Sequence, residues 1–212
     1  MKRLDPVVPS DPRWSRPFLL WLALALALGF AVPPPALSRA GRLLLIPGPA
    51  LVLLALYSRQ ASLRAFVATL GGPRLSALHG LRVPIGALFL LLADRGLLPW
   101  EFARPAGIGD VIAGGLMLVV ARAWREGRGF ALFGLLANVF GFLDLANVLR
   151  TVDVLGTSGR AAEFQAFVGT PLGVVPYFLV PILLATHVVL ARWHLSALRG
   201  ETAAPLPRPD SR

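Results

Sequence analysis

Long apolar stretches separated by short, arginine-bearing connections run through most of the chain. A helix needs about 20 mainly apolar residues to cross the roughly 30 Å hydrocarbon layer of a bilayer. Six stretches approach this length, and none shows the alternating polarity of a membrane barrel strand. The pattern predicts an all-α integral membrane bundle of about six transmembrane helices. The expected spans are residues 17–37, 43–57, 75–93, 106–124, 130–149 and a last span within 164–191, beginning near Pro171.

Prolines and apolar connections make some boundaries less regular. The run of three prolines from Pro33 should end the first span, because proline lacks the amide N–H that a helix interior needs. Pro47 and Pro49 lie inside the second stretch, which is therefore either kinked or begins before Arg42. Residues 62–70 could form a short interfacial helix on the cytoplasmic side. Residues 98–107 are too apolar for a solvated loop, so we expect this connection to dip into the membrane interface, where re-entrant backbone needs to be covered by protein or a cavity.

Composition excludes an ordinary cytosolic globule. Hydrophobic residues make up 56% of the 212 residues and charged residues only 15%, against about 25% charged in a typical soluble domain. There is no cysteine, which excludes disulfides, thiolate metal sites and a cysteine nucleophile. The net charge is +10, but the cations are distributed between the apolar stretches rather than gathered in one patch. Binding to anionic lipid headgroups explains this charge without a nucleic-acid partner.

The distribution of cations predicts the topology. Fourteen of the 21 lysines and arginines fall in the connections on one side of a six-span arrangement, and six fall on the other. Because cationic connections are retained in the cytoplasm, both termini should be cytoplasmic. All the cations but Lys2 are arginine, which together with the richness in Ala, Leu, Gly and Pro suggests a GC-rich bacterial genome and hence the bacterial inner membrane. The expected organisation is a basic cytoplasmic segment (1–16), a membrane domain (17–193) and a disordered cytoplasmic tail (194–212).

Arg82 is a cation inside an expected span, and such a group is costly unless it reaches the interface or a partner. One interpretation is that its side chain snorkels to the cytoplasmic interface. The other uses the spacing of His79, Arg82 and Gly86, which places all three on one helix face and could form a cytoplasm-facing site for an anion or headgroup.

Asp110 also admits two interpretations. At the start of the fourth span, its carboxylate would cap free amides and complement the helix dipole. Alternatively, it would join Asp94, Glu101 and Arg104 in a polar cluster on the outer side.

The fifth span carries a curved polar stripe, because Asn138, Gly141, Asp144 and Asn147 step by three residues. Such a stripe should face the bundle, where it would either join helices or line a functional cavity. Asp144 and Asp110 are expected at a similar depth and could bind a cation or relay protons. Small residues four apart, Gly109 with Ala113 and Ala137 with Gly141, indicate close helix contacts.

His79 and His187 match in expected depth and could be the two axial ligands of a b-type haem, with Arg82 near a propionate. The alternative is that both are polar residues near an interface. No other cofactor and no metal site is expected, since the histidines have no recognised ligand spacing.

Residues 79–110 resemble a family of small bacterial integral membrane proteins without an established activity. The resemblance includes Arg82, Gly86 and the run Pro105 to Asp110, and a later segment around Asn138, Gly141, Asp144 and Leu145 is similar as well. It implies a multi-pass bacterial membrane protein and brings no catalytic assignment.

The leading functional hypothesis is a non-enzymatic membrane protein that handles a small solute or lipid through a polar intramembrane cavity. Alternatives are a membrane-embedded enzyme acting on a lipid or isoprenoid, a bis-histidine haem redox protein, and a scaffold or assembly partner. The bilayer is the expected partner, and a homo-oligomer is left open. The candidate cavity residues are Arg82, Asp110, Asn138, Asp144 and Asn147.

Overall fold

A computed structural model describes residues 12–125, 127–168 and 170–200, and within them the chain is helical throughout, without a β-strand. The predicted all-α class is confirmed. Short 3₁₀ and π turns link the longer elements. The α-helices are α1 (Pro12–Ala31), α2 (Arg39–Leu45), α3 (Pro47–Arg59), α4 (Ala61–Leu78), α5 (Arg82–Asp94), α6 (Trp100–Arg122), α7 (Arg128–Thr157) and α8 (Val180–Arg199).

Five helical segments of this part of the chain are long and apolar enough to cross a membrane. Each contains or overlaps one of the expected spans from the second to the sixth. The segments are Arg39–Arg59, Ala61–Asp94, Trp100–Arg122, Arg128–Thr157 and Pro171–Arg199.

The first expected span, residues 17–37, is shorter than predicted. Its apolar helix covers Arg16–Ala31 and is followed by a separate 3₁₀ turn at Pro34–Ala36. The prolines end the helix as expected, because they cannot supply the amide hydrogens for another turn.

Two of the segments are bent by residues visible in the sequence. α2 begins at Arg39 and meets α3 at Ile46, next to Pro47, so the second stretch is both kinked and longer at its start. Within α4, Gly71 has φ 69° and ψ 171°, a conformation that is essentially restricted to glycine. This kink separates residues 61–70, where a short helix was predicted, from the rest of α4. A 3₁₀ turn at His79–Leu81 then leads into α5.

Two predicted boundaries are wrong. Residues 98–107 do not form a re-entrant connection, because α6 already begins at Trp100 and carries these apolar side chains into the bundle. α8 continues through His194 to Arg199 and ends at Gly200, whose left-handed φ of 72° is typical of a helix C-terminus. The expected tail therefore begins too early, and residues 201–212, like residues 1–11, lie outside the described part of the chain.

Helices α5 to α8 form the centre of the bundle, in which α6 packs between α5 and α7, and α7 packs against α8. We call the end that holds the α5–α6 connection and the C-terminus of α7 the Asp153 end, and the opposite end the Trp124 end. Aromatic rings fill the Asp153 end, with ring centroids 5.4 Å apart for Phe89 and Phe102 and 5.0 Å apart for Phe102 and Phe164. The buried polar residues, Arg82 and Asp110 among them, lie between this aromatic end and the Trp124 end, in the middle of the bundle.

Candidate functional site

Arg82 lies at the centre of an ionic cluster that joins three helices. It is the first residue of α5 and only 1% exposed. Its Nε donates to Oδ1 of Asp110 on α6 at 2.6 Å, and its Nη1 donates to the carbonyl oxygen of Gly141 on α7 at 2.9 Å. Its Nη2 donates to Oδ2 of Asp144. We call Arg82, Asp110 and Asp144 the Arg82 cluster.

The burial and the contacts of Arg82 contradict both interpretations of this residue, and its depth agrees with them. Arg82 lies twelve residues before Asp94, the end of α5, and Asp110 lies ten residues after Trp100, the start of α6. At 1.5 Å per residue, both are about 15–18 Å from the Asp153 end. Arg82 therefore neither snorkels nor presents its guanidinium to an anion, because two carboxylates already occupy its donors.

Asp110 is likewise not a helix cap. It lies about three turns after the start of α6, well beyond the first turn where a cap would be. The residue is 7% exposed, and Arg82 is its partner. The predicted outer cluster does not form, because Asp94 and Arg104 are exposed and Glu101 pairs with Arg160 at 3.1 Å.

Arg160 also pairs with Glu163 at 2.6 Å. Its hydrogen bonds hold the pKa of the Glu163 carboxyl below its ordinary value. These groups are exposed and lie apart from the Arg82 cluster.

Glycines allow the three helices to approach closely enough for the cluster to form. A Cβ added to Gly109 would overlap the Asp144 carboxylate, and one added to Gly86 would lie 2.8 Å from Cβ of Asp110. A Cβ on Gly141 would lie 2.8 Å from Cε1 of His187 and 3.2 Å from Nη1 of Arg82. Gly109 and Gly141, both predicted at close helix contacts, thus leave the space that the charged side chains occupy.

Two buried histidines lie beside the cluster. The ring centroids of His79 and His187 are 4.2 Å apart. Nδ1 of His187 is 2.8 Å from Oδ1 of Asn138, whose Nδ2 donates to the His187 carbonyl oxygen at 2.9 Å. Nε2 of His79 is 3.1 Å from Oγ1 of Thr186. Within the described residues, Nδ1 of His79 and Nε2 of His187 have no hydrogen-bond partner although both are buried.

This arrangement does not fit the predicted haem site. Two axial imidazoles must hold an iron and its porphyrin plane between them, whereas the rings of His79 and His187 pack directly on each other. Each ring also has a hydrogen-bond partner in a neighbouring side chain, which is Thr186 for His79 and Asn138 for His187. In the part of the chain that the structure describes, no group of three or more His, Asp or Glu side chains is placed to hold a metal ion.

Only some residues of the polar stripe on α7 belong to the site. Asn138 and Gly141 are buried and Asp144 is half-buried, but Asn147 is exposed. Each step of three residues turns the stripe by about 60° around the helix, so its last member has left the interior. The structure brings together Arg82, Asp110, Asp144 and Asn138 with the histidine pair, and leaves Asn147 out.

A small cavity of about 50 Å³ adjoins the cluster. Arg82 and Asp110 form its polar part, and the remaining wall is apolar, including Phe89, Phe102 and Phe164 toward the Asp153 end. Asp110 lines the cavity, and its Oδ1 accepts from Nε of Arg82. Since one water needs at least about 10–15 Å³ by this measure, the cavity is large enough to admit water or a small solute.

A second ion pair, between the buried Arg42 and the half-buried Asp153, was not predicted from the sequence. Nε and Nη2 of Arg42 donate to Oδ1 of Asp153 at 3.1 and 2.7 Å, and Arg42 is 6% exposed. Both residues lie just outside the expected spans 43–57 and 130–149, where charges are ordinary. Their separation of 111 residues gives no local signal of pairing.

A family model described as Domain of unknown function (DUF8737) matches residues 40–195, nearly three quarters of the chain. The chain belongs to the DUF8737 family. The DUF8737 match includes α3 to α7 and most of α8, and with them the Arg82 cluster and the histidine pair. No curated protein and no solved structure matches this DUF8737 chain. A family without an assigned activity agrees with the resemblance stated from the sequence.

Proposed function

We propose that this chain is a multi-pass protein of the bacterial inner membrane that handles a small solute at the Arg82 cluster. Five long apolar helices support membrane insertion, and the uneven distribution of arginines between the connections supports cytoplasmic termini. Arginine and aspartate residues at mid-membrane depth are costly, which favours a functional role for them.

The observation that carries the proposal is that Asp110 belongs both to the ionic cluster and to the cavity wall. With both carboxylates ionised, the two aspartates and Arg82 carry a net charge of −1. A cation entering the cavity would meet the Asp110 carboxylate and neutralise this charge, and an uncharged donor would form a hydrogen bond with the same carboxylate. An anion meets the same carboxylate and is repelled.

The size of the cavity favours a small solute over a lipid. A space of about 50 Å³ lies well below the 300–1,000 Å³ typical of sites for drug-sized ligands. The solute class that fits is therefore a small organic cation or uncharged hydrogen-bond donor, with its apolar part against Val148 and Phe89.

Cysteine reactivity tests this proposal cleanly because the chain has no cysteine of its own. Val148→Cys places a thiol in the cavity wall on α7, and Leu143→Cys places a matched control on the outer face of the same helix, where Leu143 is 60% exposed. Protein in nanodiscs is treated with silver nitrate and unfolded in SDS, and the remaining thiols are counted with a fluorescent maleimide. Silver ion is the probe because it is a small cation that blocks thiols.

We expect silver ion to block the thiol of Val148→Cys and to leave that of Leu143→Cys largely free. Methylammonium nitrate should slow the blocking and sodium acetate should not. Adding Asp110→Asn should slow it about tenfold, the effect of losing roughly 1.4 kcal/mol of attraction. Equal reactivity at the two positions, or equal protection by methylammonium and acetate, would refute the proposal.

A further inference from the structure

A second, larger cavity lies at the Asp153 end and is strongly basic. Its volume is about 260 Å³, and it opens between α2, the start of α3 and the last part of α7. Arg39, Arg42 and Arg150 line it together with a single carboxylate, Asp153, and apolar side chains that include Leu43. These four charged groups carry a net charge of +2.

Arg42 and Asp153 form the fixed part of this cavity. Nη1 of Arg42 donates to the carbonyl oxygens of Pro35 and Leu37 at 3.3 and 2.6 Å. Nε and Nη2 donate to Asp153, Nη2 reaching its carbonyl oxygen as well as its carboxylate. A guanidinium has five N–H donors, and those of Arg42 are all directed at acceptors of the protein itself. Arg42 therefore contributes its positive charge to the cavity rather than hydrogen bonds to a ligand.

The guanidinium groups of Arg39 and Arg150 have N–H donors that can bind a ligand. The side chain of Arg39 is 74% exposed and touches Asp153 only through Nε, at 3.4 Å. Arg150 is exposed, and among the residues described it has neither an ion-pair nor a hydrogen-bond partner. Two guanidinium groups therefore border a cavity whose only carboxylate is already held by Arg42.

We infer that this cavity binds the phosphate of an anionic lipid headgroup. Guanidinium groups match phosphate oxygens with paired, charge-assisted hydrogen bonds. Basic pockets between membrane helices bind phosphate-bearing lipids on the cytoplasmic side of membranes, and the same guanidinium chemistry is available at the Asp153 end, which the predicted topology places outside the cytoplasm. The charge of the cavity, +2 before binding, attracts phosphate and repels amines, in contrast to the Arg82 cluster.

A lipid fits this cavity better than free phosphate because the basic groups adjoin an exposed apolar surface. Leu43 and Leu44 on α2 are 62% and 71% exposed, and Leu51 on α3 is 67% exposed. Acyl chains running along these helices would cover this surface while the headgroup stays at the helix ends. The inference rests on the membrane location proposed above and does not depend on solute binding at the Arg82 cluster.

The two cavities share part of their walls. Ile46, Leu149 and Val152 border both of them. A headgroup between Arg39 and Arg150 would therefore lie next to the inner cavity.

Lipid retention by the intact chain tests the inference. Wild type, Arg39→Gln/Arg150→Gln and a matched control, Arg95→Gln/Arg104→Gln, are placed in nanodiscs of phosphatidylcholine with a minor share of phosphatidylglycerol. The control removes two exposed arginines from the same end of the bundle, outside the cavity. Native mass spectrometry of the released protein then counts the lipids that stay bound, with and without added inorganic phosphate.

Wild type and control should retain one phosphatidylglycerol in preference to phosphatidylcholine. The Arg39→Gln/Arg150→Gln variant should lose this preference by about tenfold or more, as expected for two charge-assisted hydrogen bonds. Inorganic phosphate should not displace the lipid. Equal retention by the variant, or no preference for phosphatidylglycerol in wild type, would overturn the inference while leaving the silver-ion result untouched. Displacement by inorganic phosphate would overturn the assignment to a lipid.

Discussion

Among single residues, Arg82 has the most consequential contacts, because its guanidinium pairs with two carboxylates, Asp110 and Asp144, in the interior of the bundle. Arg82, Asp110 and Asp144 were each predicted at membrane depth, because charges within apolar stretches are conspicuous. Their pairing spans 28 residues for Asp110 and 62 for Asp144. It depends on which helix faces meet, and a single sequence carries no information on that. The same reason explains why Asn147 was wrongly grouped with Asn138.

Replacing Arg82 should destabilise the protein more than any exposed arginine does. Arg82→Met leaves Asp110 and Asp144 buried without a cation, and removing one partner of a buried ionic group costs about 3–5 kcal/mol. The free energy of unfolding, measured by SDS titration in mixed micelles, should fall by this amount. Arg104→Gln, which removes an exposed arginine, should change it by less than about 0.5 kcal/mol.

A compensating variant separates charge imbalance from lost packing. Arg82→Met/Asp110→Asn/Asp144→Asn has no uncompensated charge and should recover most of the stability that Arg82→Met loses. If the triple variant is as unstable as the single one, the loss does not come from the stranded carboxylates.

At the element scale, the positions of the helices follow from apolar length, and their contacts follow from small residues. The sequence predicted close contacts at Gly109 and Gly141 from their four-residue spacing with alanines. It did not predict that these glycines make room for an ionic cluster, since a small residue indicates a close approach but not what approaches. α6 was also predicted to start too late, because the apolar run after Pro99 was taken for a connection.

Two glycines of α6 should respond oppositely to alanine. A Cβ on Gly109 would overlap the Asp144 carboxylate, whereas a Cβ on Gly115 has no atom within 4 Å. Gly109→Ala should therefore lower the free energy of unfolding by about 1–3 kcal/mol, the usual cost of overpacking. Gly115→Ala should raise it by about 0.5–1 kcal/mol, because alanine favours a helix interior.

Both variants are measured by SDS titration, as for Arg82. Equal effects at Gly109 and Gly115 would show that the contact between α6 and the Asp144 carboxylate is looser than described. Destabilisation by Gly115→Ala alone would indicate that the exposed side of α6 has a partner.

For the molecule as a whole, the lengths of the apolar stretches predicted the helical bundle. The end of the last helix was predicted less well. The five long helices all match expected spans. The disordered tail, predicted from residue 194, begins later, because α8 continues through His194 to Arg199. In the structure His194 is 3% exposed, with its ring centroid 5.3 Å from that of Trp124. Burial of a polar ring by a distant helix leaves no trace in local composition.

The topology prediction applies to the whole molecule, and the absence of cysteine makes it directly testable. Arg59 and Arg125 lie in connections at the Trp124 end, whereas Arg95 and Ser158 lie in connections at the Asp153 end. With six spans and cytoplasmic termini, Arg95→Cys and Ser158→Cys should react with a membrane-impermeant maleimide in intact bacterial cells. Arg59→Cys and Arg125→Cys should react only after permeabilisation, because 14 of the 21 cations belong to that side. Labelling of Arg125→Cys and Ser158→Cys from the same face would show that α7 does not cross the membrane, and the proposed intramembrane position of the Arg82 cluster would fail with it.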